Sequence, residues 1–422
     1  MLELEVKPEC SVSSGRWEFI LGMPLAQAIQ ILKMECANIR DVQVIYNEQR
    51  PLDEKFDLTI NLSQDGVRLC FDPVVQRLKI IEVYDIEKVI LKYCTKPFSS
   101  PDVRATIDQI YRSFGDTHPG EYDKDNTVYL LNFRGILFSF TLLEANLNSK
   151  RYNSGSNAQG YSLSCSQSGM LSNLAIYHGN DFQKAEAPHF PLDCFLDNCY
   201  SDRVDVEEQN GYFVSLQINL LVDDAHNSGP NQKRPCSSTV HICLNDSVQD
   251  VLSKLGAPSK VFFKSEDKMK IHSTNPDKPP HSCRSDYFFN YFTLGIDVLF
   301  DATSHTAKKF VLHTNIPGDY NFDIYHRCNF RISISQFMER ENLTGSSQDQ
   351  IDITAGTKWT EVGNSLTSPS DQPVILHRGP TDNSQNPFGS TSCYGYQNLI
   401  FEIMRNHHIA SVTVYTPPTN RT

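Results

Sequence analysis

The chain has 422 residues, 39% of them hydrophobic, with 24 Phe and 18 Tyr, enough to pack the cores of about two or three ordinary domains. A formal net charge of −12 excludes a protein whose whole surface is a nucleic-acid footprint, because backbone-phosphate binding needs a basic face. The opening MLELEVKPEC lacks a basic segment followed by an apolar one, and no apolar stretch approaches the ~20 residues that cross a bilayer, so a cytoplasmic, non-secreted protein is expected. Twelve cysteines are scattered without a C-x-x-C, which points to reduced thiols rather than a disulfide scaffold or a zinc site.

The first predicted helix lies in GMPLAQAIQILK, where Leu25, Ala28, Ile29 and Leu32 share one face. Three predicted strands follow, DLTINL, VRLCFD and LKIIEVYD, with a turn at Asp65-Gly66. Residues 1–95 therefore read as one helix-and-meander unit. Residues 96–189 read as a second, with a helix carrying Ile107, Ile110, Tyr111 and Phe114, and a polar insertion at 144–169 before the third strand, LSNLAIYHG. Residues 190–243 add strands, among them GYFVSLQINLLV and TVHICL.

A third unit spans 244–337. Asp246 or Ser247 caps its helix, Val248, Val251, Leu252 and Leu255 form the apolar face, and Gly256 and Pro258 stop it. A phosphate loop needs its glycines before the helix, so this is a structural stop. YFFNYFT, IDVLFD and AKKFVLHT supply the meander, and YNFDIYHRCNFRISI an added strand. After a polar linker at 338–357, residues 358–422 form a weaker fourth unit, with Trp359, Val362 and Leu366 on its helix. The expected fold is α+β: repeated units of one helix and a three-stranded antiparallel meander, packed through shared sheets, with added strands.

Four groups of residues invite a functional reading. His313, Asp319, Asp323, His326 and Cys328 carry metal-ligand and acid-base chemistry, but Asp323 and His326 would face apart on a strand. His407 and His408 read as a solvated turn. Lys260, Lys264, Lys268, Lys270, Lys308 and Lys309 form a candidate patch for anionic lipid headgroups, interrupted by Glu266 and Asp267. Tyr122, Tyr320 and Phe322 sit beside Pro-Gly loops as candidate anchors for a protein partner. No Walker loop, nucleophile elbow, H-E-x-x-H, dinucleotide fingerprint or kinase signature occurs, and no cofactor is expected.

In order along the chain, WEFILGMPLAQAIQIL, FGDTHPG, SEDKMKIHS, DYFFNYFTLGIDVLFDA, KKFVLHTNIPGDYNFDIYHRC and NPFGST closely resemble the phagosome assembly factor 1 family, from Trp17 to about Tyr415. The resemblance implies a non-enzymatic cytosolic autophagy factor. It further implies pairing with a β-propeller protein of the breast-carcinoma-amplified-sequence type, and recruitment with it to the preautophagosomal structure, where the forming phagophore is reached through the partner. The competing readings are a lipid-binding membrane-trafficking adaptor, and a metal-dependent enzyme centred on Asp323, His326 and Cys328.

Overall fold

The computed structural model describes residues 2–115, 117, 120–123, 128–141, 169–196, 198–223, 235–264, 285–336, 349–367, 372–377 and 389–416. The chain divides into two compact units, one of residues 1–47 and 51–194 and the other of 48–50 and 195–422. All but two of the strand pairs are antiparallel, and four helices accompany the sheets among the described residues, an α+β architecture.

The first unit begins with β1 (Leu2–Lys7), β2 (Ser11–Ser14) and β3 (Trp17–Ile20), then α1 (Leu25–Met34). Four strands follow, β4 (Val42–Ile45), β5 (Leu58–Leu62), β6 (Val67–Phe71) and β7 (Leu78–Val83), and then β8 (Val89–Tyr93) and β9 (Lys96–Ser99). After α2 (Ile107–Phe114) come β10 (Glu121–Asp123), β11 (Val128–Phe133), β12 (Ile136–Thr141) and β13 (Met170–Tyr177). They form a five-stranded sheet, β3-β2-β1-β8-β9, and an eight-stranded sheet, β10-β11-β12-β13-β7-β6-β5-β4. α1 buries the four residues that its periodicity singles out, Leu25, Ala28, Ile29 and Leu32. Phe114, on α2, meets Phe98, Phe133 and Phe138 in a cluster of tilted and edge-on rings.

The second unit runs β14 (Tyr200–Gln209), β15 (Tyr212–Val222), β16 (Cys236–Cys243), α3 (Val248–Leu255), β17 (Lys260–Phe263), β18 (Tyr287–Tyr291), β19 (Ile296–Phe300) and β20 (Ala307–His313). It continues with β21 (Phe330–Gln336), β22 (Asp349–Thr354), α4 (Trp359–Leu366), β23 (Val374–His377), β24 (Ser390–Tyr396), β25 (Leu399–Ile403) and β26 (Ile409–Tyr415). Its sheets are β16-β15-β14-β21-β22 and β17-β18-β19-β20-β26-β25-β24-β23. Strand for strand, β14–β26 take the places of β1–β13, and the two parallel pairs, β1 with β8 and β14 with β21, correspond. Phe213, Val251, Leu255, Val298, Phe300, Phe310, Phe401 and Val412 belong to its core. Burying each such side chain contributes roughly 1.5–3 kcal/mol before chain entropy is charged against it.

Two local devices occur at all four helix-to-meander passages. The N-cap residues Pro24, Thr106, Ser247 and Lys358 each form an antiparallel bridge, to Arg77, Met170, Thr306 and His408, at or beside the start of the last strand of the meander. That bridge clamps the helix start onto the sheet. A register shift also separates the third and fourth strands in β6/β7, β12/β13, β19/β20 and β25/β26. Such a bulge increases local twist and curls the sheet.

Three expectations need correction. The meanders have four strands, not three, because each helix is followed by a short strand, β4, β10, β17 or β23, on the edge of its sheet. These segments are three or four residues long, with little period-two signal to read. Within the expected linker 338–357, residues 349–354 form β22, which pairs with β21 and buries Ile353. The added strand expected across 320–334 occupies only Phe330–Gln336, since backbone turns fill 317–325. The insertion 144–169 lies outside the described residues except for Gly169.

Candidate functional site

Chemistry-bearing residues converge where β20 leaves the sheet of the second unit. Asn315 and Asp323 both adopt left-handed backbone, with φ of 51° and 74°, a conformation that Asn and Asp tolerate better than most residues. The Asn315 side chain accepts from the Asp323 N–H at 2.9 Å, and Asp319 accepts from the Asn321 N–H at 3.2 Å. These bonds tie 315–323 into a compact loop. Tyr320 is 50% and Ile324 41% exposed on it, while Phe322 is half-buried.

Tyr325 anchors the loop to the sheet. Its ring stacks on His313 with centroids 3.9 Å apart, and its hydroxyl donates to both Asp297 oxygens at 2.9 Å. His313 donates from Nε2 to Asp297 at 2.8 Å, and Asn290 donates at 2.7 Å. All four residues are buried. Burial, and then the Asp297 charge, push the Tyr325 phenol above its ordinary range, so it stays protonated as a donor. Farther along the sheet, buried Glu402 accepts from Thr391 and Ser411.

The competing reading, an enzyme centred on Asp323, His326 and Cys328, finds no support in the geometry of these residues. Cys328 is fully buried, its N–H donates to the His313 carbonyl at 2.9 Å, and burial pushes its thiol up, the opposite of an activated nucleophile. His326 sets its ring edge-on to Tyr200, and the Asp323 N–H is taken by Asn315. Among the described residues no group of three His, Cys, Asp or Glu is placed to hold a metal ion. Asp297, Asn290 and Tyr325 escaped the sequence reading, although a carboxylate in the middle of the otherwise apolar IDVLF strand was their signal.

Other candidates fall in different places. Tyr122 lies half-buried in β10, opposite Tyr129. Lys308 is held between Asp286 at 3.1 Å and Asp301 at 2.9 Å, which neutralises it locally. Lys264 follows β17, Lys309 is half-buried in β20, and Lys268 and Lys270 lie outside the described residues. His407 is exposed at a left-handed turn position, but His408 is buried, contrary to the solvated turn expected. Desolvation, helped by nearby Lys358 and Arg327, lowers the His408 pKa to about 4, so the ring is neutral at pH 7. No described helix is long and apolar enough to cross a membrane.

The family model for phagosome assembly factor 1 matches residues 15–415. The chain belongs to this family. A PHAF1 protein of Drosophila melanogaster is 44% identical over 99% of this chain and 95% of its own length. PHAF1 proteins of Caenorhabditis elegans and Arabidopsis thaliana are 34% and 33% identical, over 98% and 95% of this chain and 94% and 91% of their own lengths. No solved structure matches. The family match spans the Tyr320 loop and its Asp297 anchor.

Proposed function

We propose that the chain is a non-enzymatic, autophagy-related assembly factor. It pairs with a β-propeller protein of the breast-carcinoma-amplified-sequence type and is recruited with it from the cytoplasm to the phagophore assembly site. Membership of the phagosome assembly factor 1 family carries this reading, because the match covers nearly the whole chain. The loop at 315–324 supports it physically. An aromatic and an aliphatic side chain project from backbone already immobilised by side-chain hydrogen bonds, so docking a partner there costs little further entropy. We also read the architecture as four copies of one helix-and-meander unit, a reading supported by the four N-cap bridges and four bulges.

The test is co-immunoprecipitation of the propeller partner with the Tyr320→Ala/Ile324→Ala variant, alongside its melting temperature. Loss of capture with unchanged melting is expected, because both side chains are exposed and contribute little to the core. Imaging of wild-type chain in starved cells lacking the partner should show it dispersed. Persistent capture by a folded variant would move the contact elsewhere, and puncta surviving without the partner would overturn recruitment through it.

A further inference from the structure

We propose that β17 is an open docking edge that accepts an extended segment of a protein partner, acidic at both ends and apolar between, as an added β-strand. β17 ends the eight-stranded sheet of the second unit, and no described strand pairs with its outer side. The Lys264 N–H donates to the Asp286 carbonyl at 2.9 Å, in register with the pairs Lys260 with Asn290 and Phe262 with Phe288. In an antiparallel ladder hydrogen-bonded pairs alternate with outward-turned ones. Val261 and Phe263 therefore present their N–H and C=O groups to the open edge. Natural edges are blunted by short length, lysine side chains, a bulge, a proline or an inward charge. Of these β17 has the first two, four residues of length and Lys260 with Lys264, which discourage a strand that is not acidic at both ends. β17 has an unbroken register and no proline, and Val261, Phe262 and Phe263 are 42%, 50% and 64% exposed.

Charge selects the occupant. Lys260, Phe262 and Lys264 share one face, and the cross-strand row Phe262, Phe288, Leu299 and Lys309 brings a third lysine onto it. Lys260, Lys264 and Lys309 make no ion pair among the described residues, unlike Lys308. A second copy is disfavoured, because antiparallel self-pairing about Phe262 would set Lys260 against Lys264 twice. A strand of pattern acidic-apolar-apolar-apolar-acidic instead places a carboxylate opposite each lysine and apolar side chains beside Val261 and Phe263. Backbone bonds supply affinity in such strand addition and alternate side chains supply specificity.

The probe is a fluorescein-labelled peptide with the core Glu-Val-Phe-Val-Glu, titrated by anisotropy against the full chain, with Lys-Val-Phe-Val-Lys as control. Binding of the acidic peptide alone is expected. Val261→Pro removes an outward N–H but no ladder bond, and should weaken binding by about tenfold or more, or ~1.4 kcal/mol. Lys260→Glu/Lys264→Glu, at surface positions that leave the fold intact, should reverse the preference and decides the matter if the proline variant misfolds. Absence of wild-type binding overturns the proposal, as does binding that neither variant alters. So does a concentration-dependent dimer that Val261→Pro abolishes, which would make a second copy the occupant. Sedimentation with phosphatidylserine vesicles that the double charge reversal abolishes, without peptide binding, would assign the lysines to a membrane. The assay needs no propeller protein, so its failure and a failed partner capture are separate results.

Discussion

Asp297 shows how one residue links the core to the surface. Three donors, from Asn290, His313 and Tyr325, converge on its carboxylate, and Tyr325 is the residue that pins the exposed loop to the sheet. Removing the carboxylate leaves buried donors unsatisfied, the costly half of hydrogen-bond energetics. Asp297→Ala should therefore destabilise the protein by about 3 kcal/mol or more, from roughly 1–3 kcal/mol for each of the three buried donors left without an acceptor, read by urea unfolding. Asp297→Asn, which keeps an acceptor oxygen, should cost less. Equal losses in the two variants would show that packing, rather than donor satisfaction, sets the cost. Sequence periodicity treats Asp297 as an interruption in an apolar strand, and its partners lie 7, 16 and 28 residues away. Its role depends on cross-strand register and on a returning loop.

At the scale of elements, helix ends were legible and sheet edges were not. Ser247 and Asp250 form a capping box at the start of α3, and Gly256 ends it with φ 77° and ψ −164°, a region essentially reserved for glycine. A Cβ on Gly256 would meet nothing, so Gly256→Val should cost only backbone strain, about 1–3 kcal/mol. Gly295 combines φ 70° with a backbone approach that a Cβ would bring into collision with the His326 carbonyl and the Cys328 N–H. Gly295→Val should thus lower the melting temperature well beyond Gly256→Val. Comparable shifts in a thermal scan would mean that the space around Gly295 yields. A helix stop is decided by the residue at the stop, so it can be read locally. β17 and β23 are not counted among the meander strands by sequence alone, because a four-residue strand is defined by its neighbour across the ladder more than by its own pattern.

At the scale of the whole molecule, assembly and catalysis make opposite demands. If the chain works by bringing proteins together, the triple substitution Asp323→Asn, His326→Gln, Cys328→Ser should leave recruitment to starvation-induced phagophore sites intact wherever the variant folds. Asn is at ease at the left-handed position of Asp323, whereas Ser in the fully buried site of Cys328 is expected to take the stability loss. Circular dichroism and imaging on the same variant separate the two effects. A folded variant that loses recruitment would reopen a chemical role for this segment.

The sequence by itself determined the family, the α+β class, the buried faces of α1 and α4, the stop of α3 and the poverty of catalytic motifs. Each of these is written in contiguous residues, in caps, periods and long shared stretches. By contrast Leu252, expected on the apolar face of α3, is exposed, and of the face expected on α2 only Ile110 is buried. Only the tertiary structure decided that β1 pairs in parallel with β8 and β14 with β21, that β7 meets β13 and β20 meets β26 to join meanders into eight-stranded sheets, and which strands were left at the edges. The reason is physical: a strand's backbone groups are satisfied by another strand, and in these pairs the partner lies between about 85 and 130 residues away, beyond any local pattern. The same pairings left Val261 and Phe263 open at one edge and carried Tyr320 to the surface on a loop fixed by Asp297.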